Sequence, residues 1–161
     1  MATEAQYKIF KELYDEETKR YSDLDNKGKL YITIVTFYLG AIAFKFRDVS
    51  EFTNSVSFAK WFYLVIASML VAALVFTVYS LRVRTSEGIA DPEEIIANFG
   101  PVAPTNEEFF EDRIADLAAA TNKNSRRNNQ IADYLAAAGV LILMAGAIQF
   151  ILLLIAIIMK K

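Results

Sequence analysis

WFYLVIASMLVAALVFTVYSL (residues 61–81) and YLAAAGVLILMAGAIQFILLLIAIIM (residues 134–159) contain no charged residue. A bilayer core of roughly 30 Å is crossed by about 20 helical residues, so each stretch predicts a membrane-spanning helix. A third uncharged stretch, LYITIVTFYLGAIAF (residues 30–44), is shorter and is bracketed by Lys29 and Lys45. It spans if both lysines extend their ammonium groups to the interfaces. The expected fold is an all-α membrane protein. It has three transmembrane helices, an N-terminal helix, and a long final helix that extends into a cytoplasmic helical stalk.

The chain has no cysteine and no histidine. Disulfides, thiol nucleophiles, Cys/His metal sites and imidazole acid–base chemistry are thereby excluded. A net charge of −2 gives no sign of a nucleic-acid surface. Serines such as Ser22, Ser86 and Ser125 have no histidine base, and there is no Gly-rich phosphate loop. Paired carboxylates are plentiful but fall on charged helical stretches. No cofactor, no metal and no enzymatic activity are expected. The first 29 residues are charged throughout and lack the apolar core of a cleavable signal.

Basic residues set the expected topology. Lys8, Lys11, Lys19, Arg20, Lys27 and Lys29 precede the first span. Arg82, Arg84, Arg113, Lys123, Arg126 and Arg127 lie between the second and third. The positive-inside rule places both segments in the cytoplasm and the C-terminus outside. Tyr31, Phe46, Trp61, Phe62, Tyr63, Tyr79 and Tyr134 read as interfacial anchors.

The expected organisation runs as a cytoplasmic helix over 1–29, spans over 30–46 and 60–83, and an external loop over 47–59. A cytoplasmic linker over 84–105 follows. The last helix has a cytoplasmic part over 106–133 and a span over 134–159. Thr3 with Gln6 and Thr105 with Glu108 have the spacing of capping boxes. All three prolines lie in the linker, where Asp91, Pro92 and Gly100 bound a short helix over 92–99. No proline follows Thr105, so residues 106–159 can form one helix of roughly 80 Å at 1.5 Å per residue. NKNSRRNNQ (residues 122–130) has low helix propensity, so two readings stay open there, a continuous helix and a hinge.

Along that helix, Phe110, Ile114, Leu117, Thr121, Asn124, Asn128, Ile131, Leu135, Ala138, Ile142, Ala145, Gln149, Leu152 and Ala156 alternate by four and three. That is the coiled-coil period. Within the apolar part the stripe turns small and polar: Ala138 beside Gly139, Ala145 beside Gly146, then Gln149. Two readings fit. The stripe is a packing seam against the other helices, with Gln149 bonded to a neighbouring span. Alternatively, it repeats around the axis of a homo-oligomer. Asn124, Asn128, Ala138, Gly139, Ile142, Ala145, Gly146 and Gln149 would then line a pore.

Charge is unevenly placed. Lys123, Arg126 and Arg127 lie just before the third span, where they suit anionic headgroups or an anionic ligand such as a nucleotide or oligonucleotide. Glu107, Glu108, Glu111, Asp112 and Asp116 crowd the start of the long helix. They complement its dipole as a solvated face. In an oligomer they would form a negative vestibule that concentrates cations or a basic partner.

The order of elements is distinctive: a charged helix entering KLYITIVTFYLGAIAFKF, then WFYLVIASMLVAALVFTVYSLRVR, the insert DPEEIIANFG, and NEEFFEDRIADLAAATNKNSRRNNQIADYL leading into the last span. It resembles the small bacterial membrane proteins encoded beside nucleotide-signalling enzymes in anti-phage defence loci. It is similar in plan to SLATT-type two-span effectors and closer to the three-span effector of the Hailong system. The resemblance implies a homo-oligomeric, channel-like effector of the bacterial inner membrane, taken as a tetramer. Such an effector depolarises the membrane when gated by a nucleotide or oligonucleotide from a partner nucleotidyltransferase. No family motif maps onto particular residues. The competing expectation is a non-enzymatic membrane anchor or scaffold that recruits a soluble partner to its cytoplasmic stalk. Alternating-access transport is disfavoured by the few spans and the absence of an internal repeat.

Overall fold

The computed structural model describes residues 2–44, 59–82 and 105–159. These form three α-helices: α1 (Glu4–Phe44), α2 (Ala59–Arg82) and α3 (Asn106–Met159). The expected helix over 92–99 and residues 47–58 of the loop expected over 47–59 lie outside the described residues, and Ala59 already begins α2. All three helices are long and apolar enough to cross a membrane.

Both predicted capping boxes form. Thr3 N–H donates to Gln6 Oε1 at 3.0 Å, and Gln6 N–H donates back to Thr3 Oγ1 at 3.3 Å. Thr105 N–H donates to Glu108 Oε2 at 3.0 Å, and Glu108 N–H donates to Thr105 Oγ1 at 3.3 Å. Each box satisfies two backbone donors that the first helical turn leaves without partners. The low-propensity stretch 122–130 is helical throughout. Intrinsic propensity is a weak effect that tertiary contacts override.

The chain divides into two compact units. In the first, the beginnings of α1 and α3 run parallel. The Tyr7 ring lies 5.8 Å from that of Phe110, and Asn128 bonds to Glu17 farther along both helices. In the second, three helices pack together, with α2 antiparallel to α3. Tyr134 stacks on Phe76 and Tyr79 of α2, whereas Gln149, later in α3, meets Tyr63, earlier in α2.

The core of the second unit joins Val35 of α1, Ile66, Leu70 and Ala73 of α2, and Ala138, Ala145 and Leu152 of α3. The alanines let the helix backbones approach closely. Close van der Waals packing is what holds helices together where lipid is as apolar as leucine. Buried Gly28 sits where Leu81 and Leu135 converge, with a Cβ-to-Leu81 Cδ2 distance of 3.1 Å if a side chain were added. The buried hydroxyls of Thr77 and Ser80 donate to the carbonyls of Ala73 and Thr77 in their own helix, so neither is orphaned.

The outside of this unit is apolar as well. Phe37, Phe44, Trp61, Leu143 and Ile158 are each more than two-thirds exposed. Water tolerates no continuous surface of this kind, whereas hydrocarbon does. Together with helix length and composition, this makes the chain a multi-pass α-helical membrane protein.

Candidate functional site

The stripe predicted on α3 is the face that the chain buries. Leu117, Asn124, Asn128, Ile131, Leu135, Ala138, Ala145 and Leu152 are all buried, and Ile142 and Gln149 are half-buried. Within one chain these side chains pack between helices, as the seam reading expects. Gly146 differs: it is exposed, and a Cβ placed on it would meet nothing within 4 Å. Gly139 faces inward instead, where an added Cβ would lie 2.7 Å from the Tyr31 hydroxyl. The hydroxyl occupies the space that the missing side chain leaves.

Gln149 is the polar exception in the apolar unit. Its Nε2 donates to the Tyr63 hydroxyl at 3.4 Å, a long bond. Its Oε1 is buried and has no partner. Tyr38 and Tyr63 pack against the same core cluster, so this region of the unit is the polar part of an otherwise hydrocarbon-like interior. An amide carbonyl without a donor costs several kcal/mol in such surroundings. A second chain or water can satisfy it.

The first unit has its own polar node. Asn128 is 1% exposed. Its Nδ2 donates to the Glu17 carbonyl at 2.9 Å and to Glu17 Oε2 at 2.7 Å. Both neighbours are pure acceptors, which fixes the orientation of the amide. Next to it, Arg20 Nη2 donates to Asn129 Oδ1 at 2.7 Å. Two adjacent asparagines of the low-propensity stretch are therefore tied to α1. This clasp explains why the helix continues through a stretch of low propensity.

The acidic residues divide into distinct roles. Glu108 is the capping carboxylate, and hydrogen bonds from the Thr105 backbone and hydroxyl hold its pKa below the ordinary carboxylate value. Asp112 and Asp116 both accept from Arg113 Nη2, at 2.9 and 2.8 Å. Glu107 and Glu111 are exposed. Lys123 and Arg126 are also exposed, and Arg127 is half-buried. A shallow groove in this unit is lined by Phe10, Ile114 and Ala118, among others, and by none of these three basic residues.

Sequence reasoning missed several participants. Arg113, a topology signal in the sequence, is 6% exposed, and its Nε and Nη1 have no partner. Glu17 and Arg20 lie in a stretch charged throughout, where nothing local marks the pair that meets α3. Tyr31 and Tyr63 looked like interfacial anchors. A buried position opposite a glycine or an amide was the missing signal, and it exists only in three dimensions. Among the described residues, no group of three or more carboxylates is placed to hold a metal ion. No protein-family profile, no curated protein and no solved structure matches the chain.

Proposed function

We propose that this protein is a homo-oligomeric, channel-like effector of the bacterial inner membrane. In this reading the first unit lies in the cytoplasm and receives the signal, and the membrane helices respond by passing ions and depolarising the membrane. The observation that carries the reading is Gln149 Oε1, an acceptor without a donor inside an apolar helical unit. A water-filled path between copies, or the same amide from a second copy, meets that demand. Exposed Gly146, one turn before Gln149, lets another helix come close at that level. The inward members of the stripe (Ala138, Ala145, Asn124 and Asn128) then serve as packing. The polar lining is centred on Gln149. Lys123, Arg126 and Arg127 are the proposed contacts for an anionic nucleotide or oligonucleotide signal.

A second reading has its own support. The burial of most of the stripe within one chain suits a membrane anchor whose first unit recruits a soluble partner. Single-channel recording of the purified protein in planar bilayers, with its mass measured in nanodiscs, separates the two. The channel reading expects discrete conductance steps from an oligomer, altered by Gln149→Leu with the mass unchanged. A silent monomer would favour the anchor, and conductance indifferent to Gln149→Leu would take Gln149 out of the ion path.

A further inference from the structure

The second unit carries a groove on its outer surface that the channel reading does not use. Leu74, Val75, Val78, Tyr79 and Arg82 of α2 line it, and its volume is about 400 Å³. The lining recurs at four-residue spacing, so the groove follows one face of α2 along its axis. From Leu74 to Arg82 the helix rises about 12 Å. One leaflet of the hydrocarbon core is roughly 15 Å deep, so the groove matches most of it. Val75, Val78 and Tyr79 are each about half exposed.

The level of Arg82 has the composition of a membrane interface. Buried Gly28 of α1 lies against Leu81, which brings Lys27 and Lys29 to the height of Arg82. One turn deeper come Tyr31, Tyr79 and Tyr134. Tyr79 stacks on Tyr134, and the Lys27 ammonium lies 5.7 Å from the centre of the Tyr31 ring. Tyrosines beside basic residues are what the headgroup region selects. Of the three cations, Lys29 is paired with Asp25 and Lys27 sits on Tyr31. Arg82 is exposed and makes no hydrogen bond or ion pair among the described residues. Asp133 precedes Tyr134 but is not part of the groove lining. An apolar trough one leaflet deep, ending in an unpaired guanidinium at the interface, matches one ligand chemistry: an acyl chain joined to a phosphate.

We propose that this groove holds one acidic phospholipid. Its phosphate pairs with the Arg82 guanidinium, and one acyl chain lies along Val78, Val75 and Leu74. Arginine suits the role because its planar fork meets two phosphate oxygens at once. An acidic headgroup fits beside Arg82, where a choline would add a second cation. The phosphate pairing and the chain contact fall on one molecule, so each raises the effective concentration for the other. That linkage separates this lipid from the rest of the bilayer around the unit.

The test is native mass spectrometry of the full chain in detergent, titrated with phosphatidylglycerol or with phosphatidylcholine of the same acyl chains. The first phosphatidylglycerol should bind about tenfold more tightly than the first phosphatidylcholine. Arg82→Gln should weaken that first event about tenfold, because the charged fork is gone. Val78→Trp, which fills the groove, should weaken it as much. Val75→Trp replaces Val78→Trp if that variant loses helicity. Lys60→Gln and Leu64→Trp, exposed positions toward the other end of α2 and outside the lining, should leave it unchanged. Equal affinity for the two lipids would overturn the proposal. So would equal losses from Lys60→Gln and Arg82→Gln, which would make the attraction one of total charge. A loss in Arg82→Gln with none in the groove-filling variants would leave headgroup attraction without a groove, with the same consequence. A loss in the groove-filling variants alone would remove the phosphate pairing and overturn it too.

Discussion

Replacing Asn128 with alanine removes both bonds to Glu17. The bond to the Glu17 carbonyl is neutral and is worth about 1 kcal/mol; the bond to the carboxylate is charge-assisted and is worth about 1.5–3 kcal/mol. The Glu17 side chain is 18% exposed, so water replaces the lost donor only in part. The loss should be about 3 kcal/mol, which is roughly a 100-fold rise in local opening. Hydrogen exchange reads it directly: amides over 14–21 and 124–131 should exchange about that much faster, while those over 66–73 stay protected. A cycle with Glu17→Ala should be strongly non-additive, because the two side chains act as one unit. Replacing both residues with leucine should restore part of the protection, since the buried amide and its carboxylate partner go together and only the contact of Arg20 Nη1 with Glu17 Oε1 at 3.5 Å is lost besides. If Asn128→Ala changes exchange less than threefold, or if the cycle is additive, the clasp does not hold α1 to α3 and the account of the continuous helix fails.

Gly139→Ala should destabilise the membrane unit by about 1–3 kcal/mol, because its Cβ would meet the Tyr31 hydroxyl at 2.7 Å. Tyr31→Phe should recover most of that loss, as read by thermal unfolding in detergent. Gly28→Ala should be nearly neutral by the same assay, since its contact at 3.1 Å is the flexible end of Leu81. The pKa of Glu108 is lowered in the fold, so its contribution is present above the ordinary value near 4.5 and is lost as pH falls below it. Exchange at the start of α3 should therefore rise on acidification, and Glu108→Gln, which keeps an acceptor, should flatten that dependence.

Much of this was legible in the linear chain, for physical reasons. A bilayer requires long apolar stretches, and three helices long and apolar enough to cross it are present. A capping box is a local exchange over three residues, so Thr3–Gln6 and Thr105–Glu108 could be read directly. The four-and-three stripe marks a covered face, and it is covered. Its spacing does not say which helix covers it, so the seam and pore readings could not be separated by periodicity. The clasp was illegible because Glu17 and Asn128 are 111 residues apart. Low propensity over 122–130 left a hinge open as one reading, whereas the same asparagines that lower the propensity supply the bonds to α1. Arg113 illustrates the same limit. A charge between two aspartates reads as surface, and only packing reveals that the guanidinium is enclosed.

The parallel pairing of α1 with α3 has a consequence for biosynthesis. Glu17 leaves the ribosome before its partner by the time needed to make 111 residues, roughly ten seconds at ordinary elongation rates. During that interval α1 and α2 can already be inserted, while the faces that α3 will cover, around Val35, Ile66 and Leu70, have no protein partner. Assembly therefore closes last-helix-first-partner, and a ribosome that stalls between the second and third apolar stretches leaves a hairpin with an unfinished interior. Such a hairpin lacks the helix whose packing completes it, so translation arrest in that window should leave a less stable nascent chain than arrest after residue 159.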